Sequence, residues 1–164
     1  MIEKTFPITE KLLAKGLELS LKLYNLLCHE ESILKTRAAT NDLILIATGK
    51  KEAVIGLERF GKQLAQILST ENLSMHHSDM EKYFQTAHIN GVQIQNAVSQ
   101  WEQIITVGKK CRSLNEQNGA AIDLLSRHNQ RLLHILRGQS QFPTTYGPDG
   151  ATRRTQFSQP LVSV

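Results

Sequence analysis

The sequence predicts an all-α chain: an elongated antiparallel helical hairpin followed by a long third helix, packed as a coiled-coil-like bundle and ending in a flexible C-terminal tail. Apolar residues recur at alternating steps of four and three, which keeps them on one face of a helix. Hydrophobic residues make up 40% of the 164-residue chain and aromatics only 5%, a balance suited to aliphatic seams between helices. The prolines also lie near the two ends of the chain, at 7, 143, 148 and 160.

The first helix is expected over about residues 9–38, with Pro7 before it and Thr9 as its cap. Its stripe reads Leu12, Gly16, Leu19, Leu23, Leu26, Glu30, Ile33 and Arg37. The segment Ala39-Thr40-Asn41-Asp42 offers a break and a new cap. A second helix, over about residues 42–69, carries Leu43, Ile46, Lys50, Ala53, Leu57, Phe60, Leu64 and Ile67. The two stripes mirror each other about residue 40. That register sets Ile33 against Ile46 or Ala47, Leu19 against Phe60, and Gly16 against Leu64. The two charged members of the seams, Glu30 and Lys50, also fall opposite each other. Such a pair penalises slipped alignments, because each ion would then face Leu or Ile alone.

A polar connection, Glu71 to Ser78, leads to a third helix over about residues 79–137, with Ser78 or Asp79 as its cap. Its stripe runs Phe84, Ala87, Gly91, Ile94, Val98, Trp101, Ile105 and Gly108. It then rotates to Cys111, Leu114, Asn118, Ala121 or Ile122, Leu125, Leu132 and Leu136. Asn118-Gly119 is a turn signal, but apolar spacing resumes at once, so the helix is expected to continue through it. At 1.5 Å per residue this helix would be about 88 Å long, against about 45 Å for the first. Its far end would then overhang the hairpin with its apolar residues exposed, unless they close a homo-oligomer or fold back on the body. Residues 1–138 thus form one helical domain. Residues 139–164, rich in Gln, Ser, Thr, Pro and Gly, form a tail too polar to offset its ordering entropy, and its removal should leave the thermal midpoint nearly unchanged.

The composition excludes several classes of function. Net charge is +4 with no long Lys/Arg run, which argues against nucleic-acid binding. No apolar run approaches the roughly 20 residues of a membrane span, and the N-terminus lacks a signal peptide's apolar stretch. Cys28 and Cys111 lack CxxC spacing and suit a reducing cytoplasm. Phosphate loops, nucleotide fingerprints, nucleophile elbows and zinc spacings do not occur, so neither an enzyme nor a cofactor is expected. His76-His77 reads as linker histidines rather than a metal site, and His128 and His134, six apart, point in different directions. A four-helix metalloenzyme would need inward Glu and Glu-x-x-His motifs, which are not seen near His29 or His134.

Three elements then resemble the FlgN family of flagellar type III export chaperones. The first is the hairpin, with Glu30 or Glu31 followed by Leu34 on helix one and Lys50 or Lys51 on helix two. The second is Asn115-Glu-Gln-Asn118-Gly119, similar to an N-x-x-N-G element in that family's long last helix. The third is Tyr146-Gly-Pro-Asp-Gly150, similar to its tyrosine-glycine turn. Together they span about residues 10–150. The resemblance implies a cytoplasmic chaperone of bacterial flagellar assembly. It would bind the hook-associated junction proteins FlgK and FlgL, hold them unassembled and bring them to the flagellar export apparatus. Cargo contact would map onto Ile122, Leu125, Leu132, Leu133, Ile135 and Leu136. Two features depart from the family: helix two is rich in glycine, at Gly49, Gly56 and Gly61, and the tail after Gly150 carries no recognised motif. The alternative is a generic helical adaptor or coiled-coil scaffold unrelated to secretion.

Overall fold

The computed structural model describes residues 2–36 and 40–137, without the side chains of 40 and 41. These residues form four helices: α1 (Ile2–Thr36), α2 (Thr40–Thr70), α3 (His77–Ile89) and α4 (Gln95–Leu136). The chain divides into two units, Met1–Asn118 and Gly119–Val164. The expectations for the tail and for the Tyr146–Gly150 turn lie outside the described residues.

α1 begins seven residues before the expected start at Thr9 and carries Pro7 inside it. Pro7 is exposed, so its ring faces solvent. Packing overrides the local penalty of an internal proline. Ile2 and Phe6 are 4% and 2% exposed and belong to a core shared with Leu13, Phe60, Leu64, Leu68, Met80, Tyr83, Phe84, Ala87 and Ala97. The Phe6 and Tyr83 rings stack with centroids 6.2 Å apart. Thr9 is therefore an interior helical residue rather than a cap. Its hydroxyl donates to the Thr5 carbonyl at 3.1 Å and shares a 2.9 Å hydrogen bond with the buried Tyr83 hydroxyl, which donates to Thr5 Oγ1 at 3.2 Å.

α2 returns along α1 as the hairpin requires, with glycines as sockets for large side chains of the facing helix. A Cβ on Gly16 would stand 2.6 Å from the Phe60 ring, and one on Gly56 or Gly49 would meet the methyls of Leu19 at 3.0 Å or of Leu26 at 3.2 Å. Gly16 thus meets Phe60, one helical turn before the expected Leu64. Leu19 and Leu26 are seven residues apart, as are Gly49 and Gly56. The knobs of α1 therefore repeat in step with the holes of α2. Gly49 and Gly56 of α2 are what lets the two helices approach.

The expected third helix is two helices. α2 and α3 both end in the same cap, with a residue of positive φ two positions past the last helical one. After α2 that residue is Asn72, at φ 57°, and the Leu73 N–H donates to Leu68 O at 2.9 Å. After α3 it is Gly91, at φ 78°, and the Val92 N–H donates to Ala87 O at 3.1 Å. Glycine takes this left-handed conformation without a Cβ clash. Asn90 reinforces the stop by donating its side-chain amide to Thr86 O at 2.7 Å. Neither Ser78 nor Asp79 is the N-cap of α3. The cap is His76, without a side-chain bond, and Asp79 Oδ2 accepts the Ser74 N–H at 3.0 Å. Asp79 Oδ1 accepts from Lys82 Nζ at 2.9 Å. These bonds, led by that of Lys82, hold the Asp79 carboxyl below its ordinary pKa.

α4 runs without interruption through Gly108 and Gly119, as expected. Its first turns close the core: Ala97 is fully buried, and Val98, Trp101 and Ile104 pack against the cluster.

Candidate functional site

Two faces of α1 explain how the middle of α4 is held. Leu12, Leu19 and Leu26 are half-buried, whereas Leu13, Ser20 and Leu27, one residue further on, are buried. Leu19 and Leu26 serve α2; Ser20 and Leu27 serve α4. The Cys111 thiol lies 3.8 Å from Ser20 O, and Asn118 Nδ2 donates to Leu27 O at 2.9 Å. Burial first, and Cys28 second, push the Cys111 thiol above its ordinary pKa.

The charged pair expected from the sequence is present. Lys50 Nζ donates to both Glu30 carboxylate oxygens, at 2.7 and 2.8 Å. The Glu30 side chain is 5% exposed and that of Lys50 is 21% exposed. The sequence reading missed the third member. Asn118, 2% exposed, donates its side-chain amide to Glu30 Oε2 at 2.9 Å as well as to Leu27 O. One carboxylate thus ties α1, α2 and α4 together. The signal that could have found it was a polar residue at a stripe position of α4, inside the Asn115–Gly119 element. The geometry is that of an alignment device: each buried polar group has partners, and any slip of α2 or α4 would leave Glu30 without them.

The six residues expected to contact cargo all lie on α4 beyond Asn118. Ile122, Leu132, Leu133, Ile135 and Leu136 are exposed by 41, 45, 50, 64 and 82%, and Leu125 is half-buried. Ile122, Leu125, Leu132 and Leu136 share one stripe, with Leu133 at its border. Ile135 stands about 100° round the helix from the stripe. There it is joined by Leu124, 68% exposed, which the sequence reading left out. The apolar surface is therefore broader than one seam.

The remaining polar clusters are simple pairs. His77 Nε2 lies 3.4 Å from Glu81 Oε1 on the exposed first turns of α3. Among the described residues no helix is long and apolar enough to cross a membrane.

Comparison with known proteins supplies the family. No curated protein matches the chain, and no solved structure matches it. A family model described as FlgN protein matches residues 1–154, nearly the whole chain. That span takes in the Glu30–Lys50–Asn118 tie, the Asn115–Gly119 element and the apolar end of α4. The chain belongs to the FlgN family, whose members are chaperones of flagellar export rather than enzymes.

Proposed function

We propose that this chain binds FlgK- and FlgL-like hook-associated proteins in the cytoplasm, keeps them unassembled and delivers them to the flagellar export apparatus. The contact surface in this reading is Ile122, Leu125, Leu132, Leu133, Ile135 and Leu136, with Leu124 added. The observation that carries it is the exposure of so many large aliphatic side chains on one stretch of helix. Exposed apolar area of this kind marks a binding surface. A cargo helix needs a partner for its apolar face until assembly supplies one, and helix-on-helix packing provides it. Ordering both partners on binding keeps affinity moderate, which permits release at the export gate.

The test is the paired substitution Leu125→Ser with Leu132→Ser, with binding to purified FlgK- and FlgL-like proteins measured by calorimetry. Affinity should fall at least about tenfold, equivalent to roughly 1.4 kcal/mol, with helicity and thermal midpoint near those of the parent. Unchanged binding would refute the surface. Collapse of the fold would assign these leucines to packing within the chain.

A further inference from the structure

α2 carries a second stripe that the hairpin does not use. Ile44, Ala47, Lys51, Val54 and Glu58 recur at steps of three and four, the spacing of a coiled-coil seam. All five are exposed; Ile44 reaches 62%, Val54 43% and the adjoining Ile55 39%. The stripe borders a groove of about 690 Å³ floored by Leu23 and Leu27 of α1 and walled by Gly108 and Cys111 of α4. A Cβ on Gly108 would meet nothing within 4 Å, so that wall leaves room for a neighbour.

The charges on the stripe indicate what covers it. Lys51 and Glu58 both line the groove, and neither takes part in an ion pair among the described residues. They stand equally far, on opposite sides, from the midpoint between Val54 and Ile55. A second α2 laid antiparallel about a two-fold axis at that midpoint brings Lys51 against Glu58 of the partner subunit. The same operation brings Glu58 against the partner subunit's Lys51. Val54 then meets Ile55 of the partner subunit at the centre, and Ile55 the partner subunit's Val54, while Ile44 falls opposite the small side chain of Ala65 of the partner subunit. A parallel pairing would instead set Lys51 against Lys51. Self-complementarity under a two-fold axis is the requirement of an isologous dimer, and charges at seam positions choose partner and orientation. We infer that this face of α2 is the interface of an antiparallel homodimer, with a second copy of the chain as its occupant. The proposal is independent of the cargo surface on α4.

Charge reversal in the full-length protein tests it. Sedimentation equilibrium from about 10 µM to about 1 mM should show a monomer–dimer equilibrium. Lys51→Glu and Glu58→Lys should each weaken it at least about tenfold, because like charges then face each other twice. The double variant Lys51→Glu/Glu58→Lys restores opposite charges at both contacts and should recover the parent constant within about threefold. Both positions are exposed, and circular dichroism should confirm unchanged helicity. A wild-type chain monomeric throughout overturns the proposal, as does a dimer that ignores the single reversals or is not rescued by the double. A monomer whose single reversals weaken capture of purified FlgK-like protein assigns the groove to cargo and equally overturns it.

Discussion

Leu19 of α1 fills the space that a side chain on Gly56 of α2 would occupy, its methyls 3.0 and 3.1 Å from where that Cβ would stand. The same relation recurs one heptad away between Leu26 and Gly49, and in reverse between Phe60 and Gly16. Three glycines that weaken helix propensity are thus the sockets of the hairpin.

Filling a socket should therefore cost more than the propensity it regains. Gly16→Ala places a methyl 2.6 Å from a buried ring. Overpacking of about 1–3 kcal/mol is set against about 1 kcal/mol of improved propensity, so the variant should be the less stable protein. Gly108→Ala meets no neighbour within 4 Å and should gain up to about 1 kcal/mol. Urea denaturation of the two variants checks the opposite signs.

Glu30 should be the most costly polar residue to remove alone. Glu30→Leu leaves Lys50 without its counter-charge and strips Asn118 of one acceptor, a loss of about 3–5 kcal/mol by the behaviour of broken buried pairs. Glu30→Leu with Lys50→Leu removes both ions and should be markedly more stable than the single variant, since Asn118 keeps Leu27 O. Equal instability of the two proteins in chemical denaturation would contradict the alignment role.

Tyr83 joins α3 to α1 through one hydroxyl group. Its ring is fully buried, while its oxygen bonds to Thr9 and Thr5. Tyr83→Phe keeps the stacking on Phe6 and should cost about 1 kcal/mol, read as a lowered thermal midpoint. Thr9 retains the Thr5 carbonyl, so the loss should stay well short of that for a buried donor with no partner.

Asp79 gives α3 a pH dependence of known sign. Its folded pKa is depressed by the hydrogen bonds of Lys82 and Ser74. The stabilisation it brings is therefore present above the ordinary aspartate value and is lost as pH falls through the lower, folded value. Asp79→Asn should lower stability at neutral pH and flatten the decline below about pH 4, as followed by thermal unfolding across an acid series.

The sequence showed the hairpin clearly because two apolar stripes and one opposed charge pair agreed on it. It set Gly16 against Leu64 rather than Phe60, because a stripe records which residues are large, whereas these sockets are defined by absent side chains. Two Asn-Gly dipeptides illustrate the same limit. Asn90-Gly91 ends α3 while Asn118-Gly119 sits inside α4. The stripe Phe84, Ala87, Gly91, Ile94 passes through the break in phase, so periodicity concealed it. Asn118 stays helical where its amide is held by Leu27 and Glu30, a long-range contact that no local rule contains. The early start of α1 was hidden likewise, since Pro7 is a breaker unless Ile2 and Phe6 have a core to enter.

The glycines of α2 also bear on how the hairpin comes into being. Gly49, Gly56 and Gly61 together lower the intrinsic helicity of a 31-residue segment by roughly 3 kcal/mol relative to alanine. An isolated α2 peptide would then be mostly coil, its helix appearing only as leucines from α1 seat themselves. Beyond Pro7, α1 holds a single glycine in residues 8–36, and this part is the better template. Nascent structure should therefore accumulate on the strand of sequence synthesised first, and the second half of the hairpin should order in one concerted step against it.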